Sequence, residues 1–440
     1  MAPTVSVQRR EVQYYDAFVS IQRGLFNTRD RAQHSRKRKI ISHTFSAHSI
    51  GQFEQYIHTN LHDLVKQWTK LSNKAQTSTN NPTAYAEIDS LSWFNYLSFD
   101  IIGDLAFGRP FGMLKAGADR AAVYSLSNPT APPTYAPAVQ VLNRRGEVSN
   151  TLGCLPQLKP WAVYLPDPFF SRGLAAVQSL AGIATAAVQT RLTQGNPDGR
   201  KDLLARLIEG KDSSGQSMSE SELTAEALTQ LIAGSDTTSN TCCAFFYWVT
   251  RTPGVYSQLR TELDKTPTTT NNNPLIITYA SIKSLPYLDA CINETLRIHS
   301  TSSLGLPRTV THPITILNHH FPANTVLSVP TYTLHHSSRI WGADVKEFKP
   351  DRWLKAEGGL TASQKTAFIP FSTGPRACVG RNLAEMELKL IVATIVQNFD
   401  LEVRQDTLET REGFLRKPLR CVMGMRKRKR KRKEQIDLVC

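Results

Sequence analysis

No C-x-x-C pair occurs in this chain, and the N-terminus carries no charged-then-apolar secretory pattern. Nor does any apolar run there approach the roughly 20 residues that span a bilayer. The missing pairs, with an odd count of seven cysteines, argue against a disulfide framework or a zinc site and point to a reducing compartment. The other two absences leave the chain, as written, without an anchor or leader. Acidic residues are also in short supply, 37 against 52 Lys and Arg, for a formal charge of +15. Such a surplus suggests nucleic acid. However, eight consecutive basic residues, Arg426 to Lys433, supply more than half of it, so no nucleic-acid partner is expected. Residues 426–440 read as a solvated, disordered tail; a nuclear address or a contact with acidic lipid headgroups is the sharper alternative.

What is present suits a large core. A chain of 440 residues, 40% hydrophobic, can bury a bulky cofactor. No internal repeat is found. Polar, Pro-, Asn- or Thr-rich stretches at residues 72–82, 127–137, 195–202 and 266–274 read as loops. Apolar periodicity predicts helices over 50–71, 174–192, 224–250, 287–298 and 382–399. Between Ile314 and Tyr332, Ile-Thr-Ile-Leu and Val326-Leu-Ser-Val329 read as two short strands around a turn at 321–324. The expected fold class is mainly α with a small β-sheet region.

The chemistry is written most sharply in Phe371-Ser-Thr-Gly374-Pro-Arg376-Ala-Cys378-Val-Gly380, which leads into the helix near Asn382. Gly374 and Gly380 let the backbone bend tightly and approach a flat ligand. A cysteine beside a helix N-terminus has its thiolate favoured by the free N–H groups and the dipole. Such a thiolate can hold iron, and thiolate ligation pushes electron density onto haem iron. A lone buried cysteine would be the blander reading; the complete spacing F-x-x-G-x-R-x-C-x-G argues against it.

At these residues the chain resembles the cytochrome P-450 family, with Cys378 in the place of the iron ligand, and four further places agree. Glu294-Thr-Leu-Arg297 matches the family's E-x-x-R motif, a weak signal alone because surface Glu/Arg pairs are common. Pro350-Asp-Arg352-Trp353 matches its meander, whose Arg is expected to join the Glu–Arg pair in a buried structural network. Ala233-Gly-Ser-Asp236-Thr237-Thr238 matches the oxygen-activation motif: a helix break where O₂ and water sit, with Asp236 and Thr237 relaying protons. A simple helix kink is the alternative. His34-Ser-Arg36-Lys-Arg38-Lys39 resembles the helix that binds a haem propionate, through Arg38; Arg308 and Arg376 are the other expected propionate partners. Arg36, Lys37 and Lys39 read as a solvated face that would also suit an acidic electron donor.

Longer stretches, among them Tyr15–Ile21, Arg23–Asp30, Phe99–Gly108, Leu223–Thr241 and Thr410–Pro418, are similar to the fungal benzoate 4-monooxygenases. The resemblance implies haem b as cofactor, O₂ as co-substrate, and electrons from NADPH through a cytochrome P-450 reductase. It also implies a small aromatic carboxylate, benzoate, hydroxylated at the para position. A carboxylate in an apolar pocket needs donors, since an unpaired buried charge costs several kcal/mol. Ser300, Thr301, Ser302 and Ser303 are the expected substrate contacts, with Tyr14 and Tyr15 behind them; the alternative is that these hydroxyls only cap the preceding helix.

Family members carry an N-terminal membrane helix, a Pro-rich hinge, a helix and paired strands before the stretch matched by His34, and sit on the cytoplasmic face of the endoplasmic reticulum. Here 33 residues precede His34, roughly a hundred fewer than the family pattern implies. The expectation is a P-450 fold lacking the anchor and first strands, cytoplasmic or peripheral, with open sheet edges near Leu306 and Val326. Residues 1–13 form an atypical segment, 14–425 the haem domain and 426–440 the tail. Intact Cys378, Thr237 and Glu294 favour a working monooxygenase; the short N-terminal part favours a truncated, non-functional haem-binding product. A third reading keeps the enzyme and changes the substrate to another small aromatic acid.

Overall fold

The computed structural model describes residues 13–123, 134–196, 199–266, 277–355 and 358–429. A helical bundle surrounds one long helix, Glu220–Arg251, whose 32 residues span about 48 Å at 1.5 Å per residue. Its start is a reciprocal capping box between Ser219 and Glu222. It stops before Pro253, which disfavours helical geometry at Thr252. Against it pack the helices Ser90–Phe107, Pro168–Gln194, Pro286–His299 and Arg381–Asn398. Glu54–Ser78 joins the same core through Leu61, Leu64 and Trp68.

All five predicted helices exist, with shifted ends. The first begins after a short 3₁₀ turn at Gly51–Phe53 and runs on to Ser78, so residues 72–78 are helix rather than loop, with Ser72 fully buried. Ser90–Phe107 was not predicted by periodicity, because nearly every side chain in it is buried and no polar stripe marks one face. The helix Ala138–Cys154 was likewise not predicted. The expected loop at 127–137 lies mostly outside the described residues, its end forming a strand at Thr134–Ala136; most of 266–274 also lies outside them.

The β structure is divided into small pieces. A three-stranded antiparallel sheet places Val422–Lys427 between Ala86–Asp89 and Phe399–Val403. That corrects the tail boundary: Arg426 and Lys427 are strand residues, Arg426 pairs with Asp400 at 2.9 Å, and Arg428 pairs with Asp264. Residues 430–440 lie outside the described part, as do 1–12. The two predicted strands exist but do not pair with each other. Ile314–Ile316 pairs with His319–Phe321 across Leu317-Asn318, both at positive φ, and Val326–Leu327 pairs with Arg308–Thr309. Leu304, Val326 and Val329, each more than half exposed, lie in and around this last pair.

Gly305 sits where two of these segments touch. Its φ is +71°, and a Cβ there would lie 2.1 Å from the Val329 carbonyl oxygen. Gly305→Ala is expected to cost about 1–3 kcal/mol or more through strain and displacement. In thermal unfolding it should fall well below wild type, whereas Gly51→Ala, with open space and no such φ, should not.

Candidate active site

The loop Phe371–Gly380 is folded by its own backbone. Cys378 N–H donates to the Phe371 carbonyl at 2.9 Å and Ala377 N–H to Gly374 at 3.0 Å. Gly374 takes φ +74°, as the expected bend requires. Gly380 does not: its φ is −82°, and a Cβ would stand 4.0 Å from the Cys378 sulfur, so backbone bending is not what requires glycine there. Cys378 is surrounded closely enough for burial to push its thiol pKa up, against the Gly380 N–H and the charge of Arg38, which pull it down. Yet its side chain is accessible to solvent. An enclosed but accessible thiol marks the floor of a hollow.

The central helix supplies a matching accessible face. Ala233 is exposed in mid-helix and Thr237, one turn on, is partly exposed, while most of the residues around them are buried. No break in the helix accompanies this. The hydroxyls of Ser235, Thr237 and Thr241 donate back to the carbonyls of Leu231, Ala233 and Thr237, and the helix continues through them. Gly234 serves packing, since a Cβ would lie 2.9 Å from Ile102 on the neighbouring helix. Asp236 is turned toward another element and forms an ion pair with Lys417, whose ammonium also donates to Asn143 Oδ1 at 2.6 Å.

Three guanidinium groups stand near the cysteine loop with backbone carbonyl or hydroxyl oxygens as partners and, among the described residues, no carboxylate. Arg38 donates to Ala377 O at 2.5 Å, Arg376 to Thr28 O at 2.7 Å, and Arg308 to Tyr15 Oη at 2.6 Å. Burial, and then the charge of Arg308, depress the Arg376 pKa to about 10. Mutually repelling cations beside an accessible thiol fit a flat metal cofactor with carboxylate arms, as haem is. Phe371, partly buried, lies at the mouth of the loop with the Arg381 guanidinium 5.6 Å from its ring.

Beneath this lies a fully buried ionic network. Glu294 Oε1 accepts from Arg297 Nη2 (2.8 Å), Arg352 Nε (3.0 Å) and Lys349 N (3.0 Å), and Oε2 from Arg297 Nε (2.9 Å) and Trp353 Nε1 (2.9 Å). Arg297 uses its remaining donors on the carbonyls of His335, Val345 and Glu347. His335, which no motif marks, extends the network: its Nε2 accepts the Ile369 N–H at 3.0 Å, so its Nδ1–H faces Ser300 Oγ at 2.8 Å. Burial, chiefly, pushes its pKa down to about 3.

Of the expected substrate hydroxyls, Ser300 ends the Pro286–His299 helix at φ 45° and donates to the Arg297 carbonyl, which is the capping alternative. Ser303 donates to Glu412, and Thr301 pairs with Thr241 Oγ1 of the central helix at 3.2 Å; Ser302 is half-buried beside them. Tyr14 donates to Asn150 and Tyr15 to the Pro307 carbonyl. The basic face also needs correction. Lys37 is buried, donates to Arg23 O and pairs with Glu222 and Glu226 at 3.3 and 3.6 Å; Arg36 pairs with Glu222 too, and Lys39 is exposed.

Comparison with known proteins agrees with this geometry. The family model described as Cytochrome P-450 matches residues 4–424. Benzoate 4-monooxygenase bphA of Aspergillus niger is 58% identical over 422 residues, 94% of this chain and 80% of that protein. Cytochrome P-450 monooxygenase efuB of Hormonema carpetanum is 28% identical, over 89% of this chain and 71% of its own. Among solved structures, the cytochrome P450DA heme domain superposes with a TM-score of 0.76 at 21% identity, covering 96% of this chain and 84% of that one. CYP102L1 gives 0.74 at 20%, covering 96% and 85%. The chain belongs to the cytochrome P-450 family, whose members are haem-thiolate monooxygenases that use O₂. Among the described residues no helix is long and apolar enough to cross a membrane.

Two predictions follow from the buried groups. Glu294→Gln leaves the buried Arg297 without its counter-charge and Arg352 with Asp344 alone, and is expected to cost about 3–5 kcal/mol, read as loss of cooperative thermal unfolding near the wild-type temperature. Glu387, on the Arg381–Asn398 helix, has only the Thr238 hydroxyl at 3.4 Å, and burial raises its pKa to about 8. Its folded pKa lies above the unfolded one, so its contribution is full below about pH 4.3 and declines as pH rises toward 8. Glu387→Gln should therefore be more stable than wild type at pH 7–8, by a few kcal/mol, with the difference vanishing toward pH 4 in denaturant titrations.

Proposed function

We propose that this chain hydroxylates benzoate to 4-hydroxybenzoate, taking one oxygen atom from O₂ and releasing the other as water. Two protons and two electrons are consumed, the electrons coming from NADPH through a cytochrome P-450 reductase. The observation that carries the reading is the 58% identity to a benzoate 4-monooxygenase across 94% of the chain. In this reading residues 14–425 act as the catalytic domain, and no partner beyond the reductase is required.

Cys378 would hold the haem iron through its thiolate, with Phe371, Gly374 and Gly380 framing its loop, while Arg38, Arg308 and Arg376 would receive the propionates. When bound, haem supplies the iron that activates O₂, and the thiolate's electron donation favours O–O cleavage. The protein's own work is to place the ring and to move protons. Thr237 offers an oxygen to the hollow while its hydrogen rests on the Ala233 carbonyl, and Asp236, the adjoining carboxylate, would relay protons to it. Glu294, Arg297 and Arg352 hold the structure beneath.

The test is spectroscopic. The reduced, carbon-monoxide-bound protein should show the red-shifted thiolate Soret band, and benzoate should perturb the oxidised spectrum; Cys378→Ser should lose the thiolate band. A wild-type protein that takes up no haem, or gives no thiolate shift, would overturn the reading. Thr237→Ala should keep haem content and benzoate affinity but yield less product per NADPH consumed.

A further inference from the structure

Lys417 lies at the end of the short hairpin in which Thr410–Arg411 pairs with Lys417–Pro418. The hairpin is tied down beside the central helix: Arg416 N–H donates to the Thr301 carbonyl at 2.8 Å, and Thr301 touches Thr241. Lys417 then reaches across to two helices at once, pairing with Asp236 on the central helix and donating to Asn143 on Ala138–Cys154. Asp236 adjoins Thr237 and stands one turn from Ala233, the residues that face the hollow.

An ammonium has three N–H donors, and two of these are used here. The third has no protein partner among the described residues, although the side chain is only 18% exposed. Asn143, whose oxygen accepts from Lys417, presents its amide N–H₂ without an acceptor among the described residues. Other donors are spent. Arg416 is held by Glu412 and Thr410 and lies 4.4 Å over the Tyr332 ring. Ser300, Thr301 and Ser303 have partners within the protein. Arg38, Arg308 and Arg376 belong to the cysteine loop.

We infer that Lys417, seconded by the Asn143 amide, holds the carboxylate of the substrate, sharing its ammonium between that carboxylate and Asp236. The inference rests on the benzoate reading above and names the residue behind its specificity. An aromatic acid entering a hollow beside Asp236 meets a like charge; the ammonium offsets both and points the ring away from the hairpin, toward the interior. A neutral analogue of the same shape, benzamide, gains much less from it. Lys417 is thus a specificity residue and not a catalytic one.

The experiment is an equilibrium titration of the haem-loaded protein with benzoate and with benzamide, for wild type, Lys417→Met, Asn143→Leu and the double variant Lys417→Met with Asp236→Asn. Wild type should prefer benzoate. Lys417→Met should weaken benzoate at least about thirtyfold, as removing a buried charge partner does, and leave benzamide within about threefold. The double variant should stay weak for benzoate, because the missing cation and not an exposed Asp236 is the cause. Asn143→Leu, which leaves the ion pair intact, should lose part of the preference and serves if Lys417→Met does not fold. Recovery of benzoate binding in the double variant, or a preference unchanged by both single variants, would overturn the inference. A wild type that binds neither ligand would overturn the benzoate reading itself, and this inference with it.

Discussion

The placement of Cys378 depends on a carboxylate that does not touch its loop. Glu294 fixes the Arg297 guanidinium, whose Nη1 fixes the His335 carbonyl. The His335 ring then holds the Ile369 N–H, two residues before Phe371, whose carbonyl holds the Cys378 N–H. Each link is a short bond between buried or half-buried groups, and each is geometrically specific: a fork, a ring nitrogen, a backbone amide. Buried charge is costly, and it is accepted here where five donors converge on a single carboxylate. The result is a rigid platform under a loop that has little regular structure of its own.

Above the platform the logic reverses. Packed protein interiors leave few voids larger than a water molecule, yet this chain keeps an accessible face on its central helix and an accessible thiol just before a helix that packs on it. It also leaves Arg38, Arg308 and Arg376 without anions although Asp and Glu pair with other cations throughout the fold. Apolar collapse would not stop short of such a space by itself. The three arginines and the accessible thiol fit the haem of the cytochrome P-450 family, with its carboxylate arms on the arginine side.

Much of the fold was legible because amphipathic helices advertise themselves. Most of those with one solvated face were found, although Ala138–Cys154 was not; Ser90–Phe107, buried all round, carries no period to read. The hairpin error has a local cause: Leu317 at positive φ looks like a strand residue, and only the pairing shows that the turn is Leu317-Asn318. In the site, motif residues were legible because their chemistry needs fixed spacing, as in Phe371 to Gly380 and Glu294 to Arg297. Lys37, Lys417 and His335 were not, because their roles depend on residues 185, 181 and 34 positions away, and nothing in their neighbours' identities records that distance.

The unprotonated Nε2 of His335 makes the support of the cysteine loop sensitive to acid. The ring holds Ile369 only as an acceptor, and burial keeps it neutral down to about pH 3, whereas an unfolded histidine takes up its proton near 6.5. Its contribution to stability is therefore complete above that value and drains away as the medium acidifies. Once the proton arrives, the acceptor becomes a donor facing another donor, and the segment that leads into the cysteine loop loses one of its anchors.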